Sequence, residues 1–533
     1  MPVVNIDGNQ VEVPKGYNVI QAAQKLGIEI PHYCYHPGLR IDGNCRMCLV
    51  EVKGPRGFMP QIACNTQCID GLEVKTNTDN VKNMRKSVME FLLHNHPIDC
   101  PICDQAGECR LQDYYMKYGK YDNRSIVEKV HKEKVVDVGP LVVLDQERCI
   151  LCSRCVRFCE DISKTYELVI THRGVESRIE VFPGTEIDNK YSGNVVDICP
   201  VGALTSKDFR FKKRVWFLET SNSICMGCSR GCNIYSDHKN GVVYRFRPRA
   251  NLNVNQYWMC DEGRLSYKKI NNNRLLEPLY ENQEIEYEEA INKFKNIIKN
   301  VKSQHTPKSI IALASAHSSL EDNFMLKMFM ENYVGNNKVY GLDFSKLGYE
   351  DDFLIKADKT PNRKSFKYLN LNEDKEEFIN LIKNKEIKLI ISMNNNFLDE
   401  CSELVKEIKD IKLITMSSHN NKTTEKSLLA IPVSYFSEKF GSYINCDDYL
   451  QKCDKMFDTF ELNDSLAKSE WELLAQVMTE YDSKFIFNDI EDLWELMSSK
   501  VNILEGLSFS KIGENGINLQ KYLESKKENL LQV

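Results

Sequence analysis

The 533-residue sequence has no run of 18 or more apolar residues, so it offers no segment suited to cross a bilayer as a helix. It has no excess of positive charge either: 70 Lys and Arg stand against 76 Asp and Glu, a formal net charge of -6. Without a basic footprint, nucleic acid is not an expected partner. The opening stretch MPVVNIDGNQVEVPKGYNVIQAAQKLG lacks the charged and apolar regions of a secretion signal and the arginine richness of a transit peptide. It reads as strand, turn, strand and helix, so the fold is expected to begin at or close to Met1. No GxGxxG or GxxxxGK follows an apolar strand, and no nucleophile elbow occurs, so dinucleotide binding, nucleotide hydrolysis and serine hydrolysis lack their usual signatures. There are no obvious internal repeats.

What the sequence has in quantity is cysteine. Of 20 cysteines, 17 lie at or before Cys260, most of them with two or three residues between neighbours. Disulfide frameworks belong mainly to small secreted domains, and this is a long chain with no export signal. Metal ligation is the better reading.

Texture along the chain divides it into modules. Residues 1–78 alternate apolar and polar in short strands around one helix at NVIQAAQKLG, with turns at DGN and VKGPRG, which predicts a small strand-rich module. Residues 79–118 open with the helical periodicity of NVKNMRKSVMEFLLHNH and run into a cysteine loop. The charged stretch 119–138 reads as a linker. Residues 139–215 hold CILCSRC and CPVGAL, and 216–272 hold CMGCSRGC and WMCDEGR. From 275 to 533, helices rich in Asn, Lys and Glu alternate with apolar strands at SIIALAS, IKLIISM and IKLITM, which predicts a doubly wound parallel sheet.

Four donor sets emerge. The first is Cys34, Cys45, Cys48 and Cys64; a long loop carrying Gly43 suits a two-iron cluster, because it wraps the cluster and points N–H groups at sulfur. Tetrahedral zinc is the competing reading, and Cys68 competes with Cys64. The second is a histidine with Cys100, Cys103 and Cys109, in HNHPIDCPICDQAGEC. On spacing alone iron and zinc are equal here. Pro97 fixes the backbone just after His96, which favours His96 over His94. The third is Cys149, Cys152, Cys155 and the distant Cys199 before Pro200, a pattern suited to a four-iron cubane; Cys159 is expected to be a buried thiol. The fourth is Cys225, Cys228 and Cys232, closed by Cys260, which also suits a cubane better than zinc. Cys401, Cys446 and Cys453 read as ordinary core or surface residues.

These sets, in this order, resemble the large iron–sulfur subunit, the homologue of the 75 kDa subunit, of proton-pumping NADH:quinone oxidoreductase, respiratory complex I. The resemblance rests on GNCRMCLVEV, EFLLHNHPIDCPICDQAGECRLQD, CILCSRCVRFC and ICPVGALTSK, in register over roughly residues 1–270. It weakens afterwards to ALASAHSSLEDNFMLKMF and IPVSYFSEKFGSYINCDDYLQK.

The resemblance implies an α+β multidomain chain. Its parts would be a β-grasp [2Fe-2S] ferredoxin, a His/Cys-ligated and two cubane [4Fe-4S] modules, and a short α/β molybdopterin-oxidoreductase-like domain without molybdenum. One [2Fe-2S] cluster would sit on the first set and three [4Fe-4S] clusters on the others, one of them with His96 as ligand. It further implies a subunit with no complete active site of its own. Such a subunit relays single electrons from a flavin- and NADH-binding subunit, through other iron–sulfur subunits, toward quinone. A peripheral place on the cytoplasmic face of the inner membrane is expected, or on the matrix face if the chain is mitochondrially encoded. The alternative within the same chemistry is an electron-transfer subunit of an NAD-linked hydrogenase or formate dehydrogenase.

Overall fold

The computed structural model describes residues 1–533 except 123, 402, 459–467, 481 and 532–533, and only the backbone of 528–531. The chain divides into two compact units, Met1–Leu218 and Glu219–Val533. Among the described residues, no helix is long and apolar enough to cross a membrane.

The first unit opens with strands β1 (Val3–Ile6) and β2 (Asn9–Glu12), helix α1 (Val19–Lys25), and strands β3 (Leu49–Gly54), β4 (Gly57–Ile62) and β5 (Glu73–Lys75). The sheet runs β2-β1-β5-β3-β4, with β1 and β5 parallel and the other pairs antiparallel. Successive strand residues face opposite sides, so Val4 and Ile6 bury on one face with Val50, Val52 and Val74, and α1 covers them with Val19, Ile20, Ala22 and Ala23. The helix starts at Asn18 because that side chain and Gln21 cap each other's backbone N–H groups. A helix clasped by a mixed sheet is the expected β-grasp arrangement.

Helix α2 (Asp79–His94) carries the chain to the cysteine loop, and α3 (Arg110–Tyr118) leads away from it. Residues 119–138 are not a free linker. Lys120 and Arg124 pair with Glu90 of α2, the Lys129 ammonium donates to the carbonyls of Leu93, His94 and His96, and the stretch ends as strand β6 (Val136–Asp137). The charges that suggest solvation instead neutralise α2 and satisfy carbonyls at its negative C-terminal end. Strand β7 (Val142–Leu144), helix α4 (Arg154–Asp161), the β8 (Leu168–Thr171) and β9 (Arg178–Val181) hairpin, helix α5 (Asn194–Asp197) and strand β10 (Leu204–Ser206) complete the unit. Strand β7 is sandwiched between β10 and β6.

The second unit begins with an antiparallel sheet, β11 (Glu219–Ile224), β12 (Asn233–Lys239) and β13 (Val242–Pro248), followed by the short helix α6 (Asp261–Leu265). Then come β14 (Leu279–Tyr280), β15 (Gln283–Glu284), α7 (Tyr287–Gln304), β16 (Ile310–Leu313), α8 (Leu320–Phe329), β17 (Val339–Tyr340), β18 (Leu389–Met393), β19 (Lys412–Ser417) and β20 (Leu429–Pro432). Their sheet order is β15-β14-β20-β19-β18-β16-β17. The five strands β16 to β20 are parallel, while the β14–β15 hairpin closes one edge antiparallel.

Both faces are covered, as a parallel sheet requires. Ile310, Ala312 and Ile391 face α7 and α8, whereas Ile311, Leu313 and Ile390 face Phe378, Ile382 and Phe397. A further hairpin, β21 (Gly441–Ile444) and β22 (Tyr449–Cys453), fastens this domain to the sheet of β11: the Ser223 hydroxyl lies 3.0 Å from the Cys453 sulfur, and the Asp454 N–H donates to the Asn222 carbonyl at 3.1 Å.

Candidate metal centres

None of the 20 cysteines is disulfide-bonded. Among the described residues, no three His, Cys, Asp or Glu side chains converge as they would on a single metal ion; the third and fourth sets each surround a cavity instead.

In the first unit, the loop between α1 and β3 brings Cys34, Cys45 and Cys48 to Cys64, which follows β4. The neighbouring thiols of Cys45 and Cys64 pull the Cys34 pKa down, and Cys64 does the same to Cys48. The Cys34 N–H points at the Cys45 sulfur at 3.4 Å. Gly43 and Arg46 both adopt left-handed backbone, φ 73° and 58°; such turns aim N–H groups into a concavity and cluster at functional sites. Cys68 is not part of this group. It shares the hydrophobic core beside α1 with Cys48 and Cys64, but burial alone raises its thiol, with no neighbouring cysteine acting on it.

In the second set the two histidines part company. His94 ends α2 and is exposed, whereas the Nδ1 of His96 is buried with no hydrogen-bond partner. Burial, reinforced by the charges of Lys129 and Arg148, drops the His96 pKa to about 4, so the ring is a neutral donor with a free nitrogen. Cys103 and Cys109 are buried and Cys100 half-buried, and burial pushes the Cys109 thiol up to about 11. Asp99, one residue before Cys100, is held by the Arg148 guanidinium at 2.9 and 2.6 Å. That pair fixes the loop against the third set.

In the third set, Cys149, Cys152, Cys155 and Cys199 line one cavity, with Leu144, Ile150, Ile179 and Val201 among its apolar walls. Leu151 and Ser153 take left-handed backbone, φ 52° and 59°, and the Leu151 N–H points at the Cys149 sulfur at 3.4 Å. Cys159 lies on α4, fully buried and outside that cavity lining. In the second unit, Cys225, Cys228, Cys232 and Cys260 line a cavity completed by Leu354, Ile355 and Lys359 from far along the chain. The N–H groups of Gly227 and Gly263 point at the sulfurs of Cys225 and Cys260, at 3.4 and 3.3 Å.

Burial raises these thiols, Cys149 to about 12, Cys152 and Cys260 to about 11, and Cys155, Cys225 and Cys232 further still. Groups so desolvated hold thiolate only beside compensating positive charge, which bound iron would supply. Two glycines that spacing did not single out also belong to the sites. A Cβ on Gly202 would collide with the Cys103 sulfur, and one on Gly263 would lie 2.8 Å from that of Cys225.

Clustered thiols in dry cavities, backbone N–H groups aimed at sulfur and a buried unpaired imidazole together fit iron–sulfur clusters. Family models agree in the same order along the chain. Residues 3–79 match a 2Fe-2S iron-sulfur cluster binding domain, and 85–124 match the NADH-ubiquinone oxidoreductase-G iron-sulfur binding region. Residues 139–205 match the ferredoxin-like domain of NADH-quinone oxidoreductase subunit 3, and 218–272 match the molybdopterin oxidoreductase Fe4S4 domain.

A subunit of the NADH-quinone oxidoreductase of Rickettsia conorii is 42% identical over 357 residues, 65% of this chain and 52% of that protein. The mitochondrial NADH dehydrogenase [ubiquinone] iron-sulfur protein 1 of Solanum tuberosum is 41% identical over 345 residues, 63% of this chain and 45% of that one. The NADH-ubiquinone oxidoreductase 75 kDa subunit of Reclinomonas americana is 40% identical over 344 residues, 63% of this chain and 48% of its own. A chain in the crystal structure of an NAD+-reducing [NiFe]-hydrogenase aligns at 29% identity over 40% of this chain and 91% of its own, with a TM-score of 0.37. The chain spans about half the length of the curated relatives it matches. Over 63–65% of its length the chain is thus similar to subunits of NADH-quinone and NADH-ubiquinone oxidoreductases, the 75 kDa subunit among them.

Proposed function

We propose that this chain relays single electrons within the peripheral arm of an NADH:quinone oxidoreductase, from a flavin- and NADH-binding subunit through other iron–sulfur subunits toward quinone. The observation that carries the reading is the series of four donor sets, each matched by an iron–sulfur family model and each lying in buried loops with N–H groups or free donors turned toward it.

In this reading Cys34, Cys45, Cys48 and Cys64 hold a [2Fe-2S] cluster. Three [4Fe-4S] clusters are held by His96, Cys100, Cys103 and Cys109; by Cys149, Cys152, Cys155 and Cys199; and by Cys225, Cys228, Cys232 and Cys260. Bound there, the clusters supply one-electron storage. The chain's own residues exclude water from the sulfurs, orient them and set the surrounding charge, which are the protein's means of tuning potential. No molybdenum is assigned to residues 275–533, and the chain acts as a peripheral subunit beside a membrane partner.

Graded reduction of anaerobically purified protein, followed by electron paramagnetic resonance, tests this. One two-iron and three four-iron signals are expected, together with co-purification with a quinone-reducing complex. Colourless protein with stoichiometric zinc would overturn the cluster assignment, and co-purification with a hydrogenase large subunit would overturn the partner assignment.

A further inference from the structure

Between the first and third donor sets lie two arginines, Arg154 and Arg157, one turn apart on α4 and 5% and 2% exposed. Arg157 spans the sets directly: one nitrogen of its guanidinium donates to the Cys34 carbonyl at 2.6 Å and to the Cys152 carbonyl at 3.2 Å. Its other donors reach the Arg40 carbonyl and, at 3.0 Å, the Ser153 hydroxyl. Arg154 makes a second bridge, donating to the carbonyl of Tyr35, the residue after Cys34, and at 2.9 Å to that of Ile198, the residue before Cys199.

The partners of both guanidiniums are carbonyl and hydroxyl oxygens, the Arg154 Nε being buried without one, and among the described residues neither arginine pairs with a carboxylate. Asp42 comes within reach of Arg157 only through the Ser153 hydroxyl, which donates to it. A guanidinium stays charged at any physiological pH, and a buried charge needs a counter-charge. The hydrogen bonds of Arg154 reach residues adjacent to Cys34 and to Cys199, one in each set. Arg148, by comparison, has Asp99 and Asp145. What sets Arg154 and Arg157 apart is position: their fixed charges lie between loops of the first and third donor sets.

We propose that Arg157, seconded by Arg154, is a shared cationic bridge that raises the reduction potentials of both the first-set and the third-set centres at once. The inference rests on the cluster assignment made under Proposed function. Reduction adds negative charge to a centre, and a fixed cation in a low-dielectric interior stabilises the reduced form. Because one guanidinium touches both loops, its charge acts on two centres, and Arg157 is a positioning residue for electron transfer rather than a ligand.

The test is a redox titration of the holo full-length chain carrying Arg157→Gln or Arg157→Lys, with the two-iron and four-iron resonances read separately. In Arg157→Gln both first-set and third-set midpoints are expected to fall, each one-electron reduction becoming roughly tenfold less favourable, about 59 mV. Arg157→Lys keeps the charge and should hold both midpoints near wild type, whereas a merely structural role would make the two variants behave alike. Should Arg157→Gln fail to retain its clusters, Arg154→Gln is read in the same titration with the same expectation. Full-intensity signals with unmoved midpoints, a shift at one set only, or equal shifts in the Gln and Lys variants would overturn the bridge. Absence of iron signals from the wild-type chain would instead overturn the cluster assignment.

Discussion

Gly202 lies so close to Cys103 that a Cβ added to the glycine would collide with the cysteine sulfur. The loop that carries the fourth cysteine of the third set therefore forms part of the wall of the second. Gly202→Ala has to push that sulfur away or move the loop, and overpacking of this kind costs about 1–3 kcal/mol. The variant is expected to weaken or shift the second set's paramagnetic signal while the first set's signal stays unchanged, together with a lowered thermal midpoint.

The two histidines of HNHPIDC separate by substitution. His96→Cys replaces a neutral donor by a thiolate, which adds negative charge to the centre and should lower its midpoint potential. His94→Ala, at an exposed position, should leave that signal intact. Loss of the signal in His94→Ala but not in His96→Ala would reverse the assignment.

Asp237 makes the second unit acid-sensitive. Burial works to raise its carboxyl, but the guanidiniums of Arg247 and Arg245, at 2.7 Å each, outweigh it and hold the pKa at about 2. An unfolded aspartate titrates near 3.8. The folded state is therefore favoured by this group above about pH 4, and the advantage drains away as pH falls toward 2. It amounts to about 2 kcal/mol. The urea midpoint of Asp237→Asn should lie below wild type at pH 6, with the difference shrinking by pH 3.

Lys439 is the cation of a buried network in the α/β domain, bonded to Asp322 at 2.7 Å and to Glu470. Lys439→Met leaves two carboxylates facing each other without a counter-charge. Breaking such a group by removing one partner costs about 3–5 kcal/mol, which chemical denaturation of the full chain would register.

Iron chelation should act unevenly. Ligand loops fold with their metal, so limited proteolysis after chelation is expected to open the first unit and the loops around Cys225–Cys260 first. The doubly covered sheet of β16 to β20, with its own apolar cores, should survive longer. Equal cleavage rates with and without iron would count against this.

Much of this was legible in the sequence where one local signal decides the outcome. The runs at Ile310, Leu389 and Lys412 became parallel strands because apolar residues on both faces leave little alternative. β17, two residues long, and β20, ending in Pro432, carried too little pattern to be seen. The stretch 119–138 misled because partners distant in sequence, such as Glu90 for Arg124, consume its charges. The ligand candidates were visible as spacing. The residues around them were not: Arg154 and Arg157 sit inside CILCSRCVRFC as ordinary surface-type residues until the fold buries them, and Gly202 looks like any turn glycine.

The cavity of the fourth set is closed by residues that lie far downstream. Its wall needs Leu354 and Ile355, and the Ser229 carbonyl is bonded by the N–H of Cys446. A ribosome that has just made Cys260 must add nearly two hundred residues before Cys446 exists, roughly 10–40 s at about 5–20 residues per second. The donors of the first three sets are all synthesised by Cys199. On the proposed ligand assignment, three donor sets are complete in sequence before the residues that close the fourth have been translated.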